Sequence, residues 1–339
     1  MTQQFAPVAA PGAVLEAPRP APEDQARRST GQHAPGSPDR FRRPPKRLPR
    51  QLPQYAPLSR TQLLVRASLG LVAALLAAFL IDLVGFSHLQ HLISQQQSRD
   101  LFVTQLADGT APVNEGDVDG VLLADGAPVA RLQIPALGIN EIIGEGTTSS
   151  VLAKGPGHRR DTPLPGQGGV SVIMGRASAF GGPFGRLQEL PPGEAISVVT
   201  GQGEQLFRVI GVRYAGDPAP GPVASGRSRM VLETARGGPY FPQGVVRVDA
   251  ELVSATQANG GRMTTPASLP ASARELAGDF STSWALVFAL QFLIVAEVAA
   301  VYAYRRFGWA RTWVVFVPVL ALGSLLVADQ VIRLLPNLL

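Results

Sequence analysis

The chain contains no cysteine in 339 residues. That excludes disulfides, thiolate metal ligands and any thiolate nucleophile. Histidine is almost as scarce: His33, His88, His91 and His158 are the only four, and their spacing makes no ligand cluster. His88 and His91 stand three apart and would share a helix face, but neither has an acidic or third imidazole neighbour in sequence, so no metal and no cofactor is expected. No internal repeat is present. Charged residues make up only 16 % of the chain, and three long runs are nearly free of them.

Those runs are 63–86, 284–304 and 313–332, each about twenty residues or slightly longer. At ~1.5 Å per residue such a helix crosses a hydrocarbon core of about 30 Å. Trp284, Tyr302, Tyr304, Trp309 and Trp313 flank the second and third, as interfacial aromatics do. Apolar character runs around all sides, which argues against helices buried in a soluble core. The first run begins too far into the chain and is too long for a cleavable signal peptide.

Charge sets the expected orientation. Residues 1–60 carry ten Arg/Lys against four Asp/Glu, and the loop 305–311 has three Arg and no acid. Residues 87–283 carry fifteen basic against eighteen acidic side chains. Basic pieces stay cytoplasmic, so 87–283 is expected outside the cell, in a multi-pass protein of the cell membrane. Glu297 and Arg66 fall within spans at similar depth. An ionisable group there normally faces a partner, so an Arg66–Glu297 pair is expected to join the first and second spans.

Residues 1–60 hold twelve Pro and three aromatics (Phe5, Phe41, Tyr55). They bury too little apolar surface to offset chain entropy and are expected to be a disordered cytoplasmic tail. Arg40, Arg42, Arg43, Lys46, Arg47 and Arg50 cluster just before the first span. They would rest on anionic lipid, each contributing ~1 kcal/mol at the surface, or form a docking arm for a cytoplasmic protein. Nucleic acid ranks third and is not expected, because interleaved aromatics and a surrounding fold are lacking.

Outside the membrane, 87–127 divides into a helix over Ser87–Leu106 and an acidic, Gly-containing linker. Residues 128–254 alternate Gly/Pro punctuation with short β-branched runs: 170–174, 196–200, 206–212, 229–232 and 245–253. This pattern predicts an all-β barrel or sandwich. A polar linker, 255–282, returns the chain to the membrane.

Six motifs stand in order within 129–253. They are Arg131-Leu132-Gln133-Ile134-Pro135-Ala136-Leu137-Gly138, then Gly155-Pro156-Gly157-His158, Thr162-Pro163-Leu164-Pro165-Gly166, the run 170–174 ending in Gly175-Arg176, Phe184-Gly185-Arg186-Leu187, and Val231-Leu232-Glu233-Thr234-Ala235. Together they resemble the sortases, membrane-bound cysteine transpeptidases of Gram-positive cell surfaces, most closely the actinobacterial class E type. The resemblance implies an eight-stranded β-barrel with short helices. It also places Arg176 where the family has its catalytic His, Ala235 where it has its Cys, and Gly244 near its Arg, although a register slip would bring Arg247 there.

An alanine methyl cannot attack a carbonyl, and a guanidinium does not accept a proton near neutral pH. Catalytic residues are therefore none, and a pseudoenzyme is expected. Replacement of the nucleophile by Ser178 or Thr234 is disfavoured, since the nearest motif histidine, His158, occupies a loop position that is not catalytic in the family. His158 and Asp161 are expected to stabilise loops. Arg176 is either a solvated strand end or a carboxylate-binding cation, with Thr234 beside it in a ligand site. The expected role is a membrane receptor or tether linking a cytoplasmic partner, for example a secretion or contractile injection particle, to the envelope. The alternative is an extracellular module that binds sorting-signal or cell-wall peptides and regulates active sortases.

Overall fold

The computed structural model describes residues 59–116, 120–280 and 283–339. The tail, including the basic residues Arg40 to Arg50, lies outside the described residues.

The first membrane helix does not stop at the surface. α1 (Arg60–Ile81) opens with a capping box, in which the Ser59 hydroxyl accepts from the Gln62 N–H and the Gln62 side chain accepts from the Ser59 N–H. It runs through a π-helical turn, Asp82–Phe86, into α2 (Ser87–Ala107) without a break. The whole rod is roughly 70 Å long at ~1.5 Å per residue, so its outer part stands beside the barrel. Gln95 staples the two together. Its Oε1 accepts from the Ile142 N–H at 2.7 Å, while its Nε2 donates to the Ile142 and Lys154 carbonyls at 3.1 and 2.9 Å. Arg99 donates to the Asn140 carbonyl, His91 meets Glu141 at 3.3 Å, and Phe102 is buried. The acidic neighbour of His91 therefore comes from a distant strand, where sequence spacing could not place it.

Three helices are long and apolar enough to cross a membrane, the α1–α2 rod, α4 (Ser283–Phe307) and α5 (Trp309–Arg333), with mean hydropathy of 2.5, 2.2 and 2.1 over an apolar 18-residue stretch of each. α5 packs against both α1 and α4, through Leu75, Ala289, Leu293 and Val327 among others. This differs from the expected bundle. Among the described residues no ion pair joins Arg66 to Glu297; the first and second spans are bridged by the apolar flank of α5 instead.

Eight strands close a barrel in the order β1-β2-β3-β4-β7-β8-β6-β5. They are β1 (Pro128–Ile134), β2 (Ile139–Glu145), β3 (Gly157–His158), β4 (Gly169–Met174), β5 (Ala195–Thr200), β6 (Gly203–Tyr214), β7 (Ser228–Gly238) and β8 (Phe241–Leu252). A one-turn helix, α3 (Ser149–Leu152), follows β2. The pleat sends alternate side chains to opposite faces. Leu132, Ile134, Ile173, Leu232, Val248 and Ala250 fill the interior, whereas Val172, Met174, Val231 and Val245 point outward yet are also buried. Something covers that outer face.

Part of the cover is the stretch 255–282, expected as a plain linker. It is polar, but its polar groups are spent on the barrel. Asn259 exchanges hydrogen bonds with the Gly168 backbone, Glu115 accepts from the Thr264 N–H at 2.8 Å, and the Thr147 hydroxyl donates to the Ala273 carbonyl at 2.6 Å. Leu276 packs on the outward cluster.

Candidate functional site: the groove over Ala235

β4 and β7 run parallel, with Met174 beside Glu233. Gly175 follows, and its N–H donates to the Glu233 carbonyl at 3.0 Å. A side chain at Gly175 would collide with the Phe184 ring, which explains glycine at that position. The chain then turns so that Arg176 enters the protein. It is fully buried, which overturns a solvated strand end.

Arg176 is held by Ser149 and Leu339. Its Nη2 donates to the Ser149 hydroxyl at 2.6 Å and the Ser149 carbonyl at 3.1 Å, and its Nη1 to the Leu339 main-chain oxygen at 3.2 Å. The Phe180 ring lies 4.9 Å from the guanidinium carbon. Phe180 itself has φ of +52°, a conformation that an aromatic residue adopts only when its surroundings demand it. Burial pushes the Arg176 pKa down to about 9. The group still carries its charge near neutral pH.

Ala235 lies four residues short of the β7–β8 turn, opposite Val245, and Arg236 is opposite Gly244. Gly244 therefore carries nothing into the groove. Arg247 stands on the same face as Ala235 but two positions along, opposite Glu233. Its Nε donates to Glu233 at 2.8 Å and its Nη2 to Glu275. Burial and the neighbouring Glu275 raise the Glu233 carboxyl to about 7, against the lowering effect of Arg247.

A cavity of about 130 Å³ opens here, lined by Ala177, Ser178, Gln188, Thr234, Ala235 and Val246 among others. Arg176 is adjacent in chain but turned away into its own buried pocket. Thr234 is buried, with a hydroxyl that has no partner. Among the described residues no imidazole lines this cavity. His158 is committed elsewhere: Nδ1 lies 2.9 Å from Glu145 and Nε2 3.0 Å from the Pro163 carbonyl. Both ring nitrogens thus face oxygen acceptors inside a buried loop network that also includes Thr162, whose hydroxyl accepts from the Val172 N–H. Asp161 holds Arg159 at 2.7 Å in the same loop. Among the described residues no group of His, Asp and Glu is arranged to hold a metal ion.

The rest of the outer face is covered by residues 334–339, which leave the end of α5 and lie along the groove. The Ala177 N–H donates to the Leu338 carbonyl at 2.8 Å and the Ala179 N–H to the Leu339 oxygen at 3.2 Å. Asn337 Nδ2 donates to the Thr147 and Arg274 carbonyls at 3.0 and 2.7 Å. Leu338 is wholly buried against Leu152, Val172, Met174, Val231 and Val245, a burial that stabilises by roughly 2 kcal/mol. Sequence reading missed this segment.

The sortase-domain family model matches residues 132–236. The barrel is a sortase domain. Among solved structures, the sortase D5 transpeptidase of Clostridium perfringens is 18 % identical and covers 48 % of this chain and 99 % of its own, with a TM-score of 0.40. Sortase E1 from Streptomyces coelicolor, solved with a tripeptide in its active site, is 21 % identical over 39 % of this chain and 91 % of its own, with a TM-score of 0.34. A Corynebacterium diphtheriae sortase is 24 % identical over 47 % and 98 %, with a TM-score of 0.35. No curated protein matches the chain. The sortase domain is thus carried on a multi-pass set of three apolar helices.

Proposed function

We propose that this protein is a non-catalytic, membrane-anchored receptor or tether built on a sortase domain. Its barrel stands outside the cell, and its basic tail reaches a cytoplasmic protein or assembly. One observation supports the non-catalytic part: the chain has no cysteine, the motif resemblance assigns Ala235 to the nucleophile's position, and among the described residues no imidazole lines the cavity beside it. Acyl transfer needs a nucleophile, a base within hydrogen-bond reach and an oxyanion site. The Thr234 and Ser178 hydroxyls have no base beside them, and Arg247 is bound to two carboxylates two positions away. The tether part is supported by charge: the basic tail and basic 305–311 loop flank spans that hold a slightly acidic barrel between them.

A second reading keeps the barrel as an extracellular module that recognises sorting-signal or cell-wall peptides. It is favoured by the cavity of about 130 Å³ that remains beside Ala235. Full-length chain and a form lacking residues 1–50, each in detergent, separate the two. A tether retains a cytoplasmic partner only with the tail present; equal capture by both forms would remove the tether. The full-length chain is also expected to leave sorting-signal peptides uncut. Turnover abolished by Thr234→Ala or Ser178→Ala would show a working enzyme.

A further inference from the structure

The sortase domain rests directly on the ends of its membrane helices. Leu83 of the first helix and Ile332 of α5 share one buried cluster with Ala179 and Phe180 of the loop after β4, and Tyr240 and Leu335 pack against it. A side chain at Gly181, in the same loop, would strike His88 at the start of α2. Leu83 stands near the end of the first apolar run, 63–86, and Ile332 at the end of the third, 313–332. The cluster therefore lies at the edge of the hydrocarbon core.

Tyr240 belongs to the β7–β8 turn. Gly238 pairs with Phe241, which leaves Pro239 and Tyr240 as the two turn residues. Tyr240 has φ of +64°, at a turn position that ordinarily takes glycine. Such strain persists only where the surroundings hold it, and here the half-buried ring packs the turn against the helix ends. Phe241 comes next and is 77 % exposed. Two more rings are bare at the same edge. Phe280 and Trp284, before and at the start of α4, are 72 % and 71 % exposed, and the Phe280 ring flanks Gly278 together with the Leu334 carbonyl, where the chain leaves α5. Aromatic side chains at this depth are characteristic of the layer between lipid and water. Charge agrees with that setting: from Arg236 to Gly244 the hairpin carries one base and no acid. Arg236 is exposed and stacks on the Tyr214 ring at 4.5 Å, which leaves its guanidinium edge free for lipid phosphate.

We infer that the tip of the β7–β8 hairpin, residues 237–243, is a lipid-binding element. Phe241 enters the interfacial layer of the leaflet on the barrel's side, level with Phe280 and Trp284. The partner is the lipid surface because the tip adjoins the ends of the spans, which lipid already surrounds. Gly237 and Pro239 of the same hairpin line the cavity beside Ala235, so lipid contact steadies one wall of that cavity. The inference needs only that the apolar helices cross a bilayer. It is independent of what the tail recruits and of what the cavity holds.

The chain's lack of cysteine gives a direct test. Phe241→Cys and, as a reference, Glu204→Cys are made singly in the full-length protein, labelled with a nitroxide and placed in nanodiscs of phosphatidylcholine and phosphatidylglycerol. Both positions are exposed, so neither substitution threatens the core, and the same label at both controls for its own affinity for lipid. Glu204 stands near the far end of β6 from Tyr214, about 30 Å away along the strand. Oxygen concentrates in lipid and a water-soluble nickel chelate in water, so the ratio of their collision rates with the nitroxide reads depth. That ratio is expected to be severalfold higher at position 241 than at position 204. Equal, water-like ratios at the two positions would overturn the inference. Protection of position 241 from both reagents would overturn it too, by placing protein, such as a second copy of the chain, over the tip. Either failure leaves tail-dependent partner capture untouched, and loss of that capture leaves the depth measurement untouched.

Discussion

Two arginines serve the same groove by different physics. Arg247 is partly exposed and gripped by two carboxylates, Glu233 and Glu275. Arg176 is fully buried and held by the hydroxyl and carbonyl of Ser149 and by the Leu339 oxygen. In the first case charge is neutralised locally and at some excess, with two acids to one base, so burial drives the Glu233 carboxyl up to about 7. In the second, burial alone brings the guanidinium down to about 9. An ion-paired arginine depends on pH. A dipole-held arginine depends on the position of the segments that supply the dipoles, here α3 and residues 334–339.

The largest effect should therefore come from Arg247→Met. It leaves Glu233, only 4 % exposed in its side chain, facing Glu275 without a cation. Breaking a buried pair in this way typically costs about 3–5 kcal/mol. Denaturant unfolding of the full-length chain in detergent should show that cost at pH 8. At pH 5 it should shrink, because without Arg247 the Glu233 carboxyl is held protonated and carries no charge to strand. A cost that is the same at both pH values would break the contrast between the two arginines.

How much of this could be read beforehand depends on where each signal lives. The barrel strands were visible because β-branched runs such as 170–174 and 245–253 are local, and Gly/Pro punctuation separates them. β3, two residues long, had no periodicity to show, and it followed only from the family resemblance. The motif resemblance singled out Arg176 and Ala235, yet it did not reveal the environment of Arg176. Its partners are main-chain oxygens, and every residue has one, so no side-chain pattern announces them. The segment 334–339 is silent for a related reason: a few leucines after an apolar span show no pattern of their own. Residues 255–282 look like linker because they are polar, although Asn259, Thr264 and Glu275 spend that polarity on the barrel. Arg66 and Glu297 matched in depth along their helices, but depth says nothing about which helix lies between, and α5 contacts both.

A smaller effect is expected from Arg176→Met. Methionine relieves the desolvation of the charge and fills similar volume, which offsets part of the damage. What remains is the loss of hydrogen bonds to Ser149 and Leu339, about 2 kcal/mol in total if the stranded oxygens find no other donor. Because the guanidinium is protonated throughout the range below about 9, this cost should be equal at pH 5 and pH 8. Arg176→Lys should recover less than half of it, since a single ammonium cannot span both oxygens as the fork does. A pH-dependent loss would mean that a carboxylate, rather than these dipoles, is the true partner.

An effect with a reversed sign belongs to Glu233→Gln. The Glu233 carboxyl titrates at about 7 in the fold against 4.5 ordinarily. Between those values the folded chain binds the proton that the unfolded chain has released, so this group's contribution is intact below about 4.5 and is lost as pH rises through 7. At pH 8 the native protein thus carries a buried charge that it resists. Glutamine keeps an oxygen that accepts from the Arg247 Nε and removes that charge, while Glu275 still balances the arginine. The loss of attraction to Arg247 and the relief of desolvation oppose each other, leaving a net gain at pH 8. Below pH 4.5 the two proteins should be nearly equal in stability, because the native side chain is then neutral as well. Unfolding free energies measured from pH 4 to pH 8 should accordingly fall with pH in the native protein and run flatter in the variant. Parallel curves would assign the proton uptake to another group and leave Arg247 and Glu233 an ordinary ion pair.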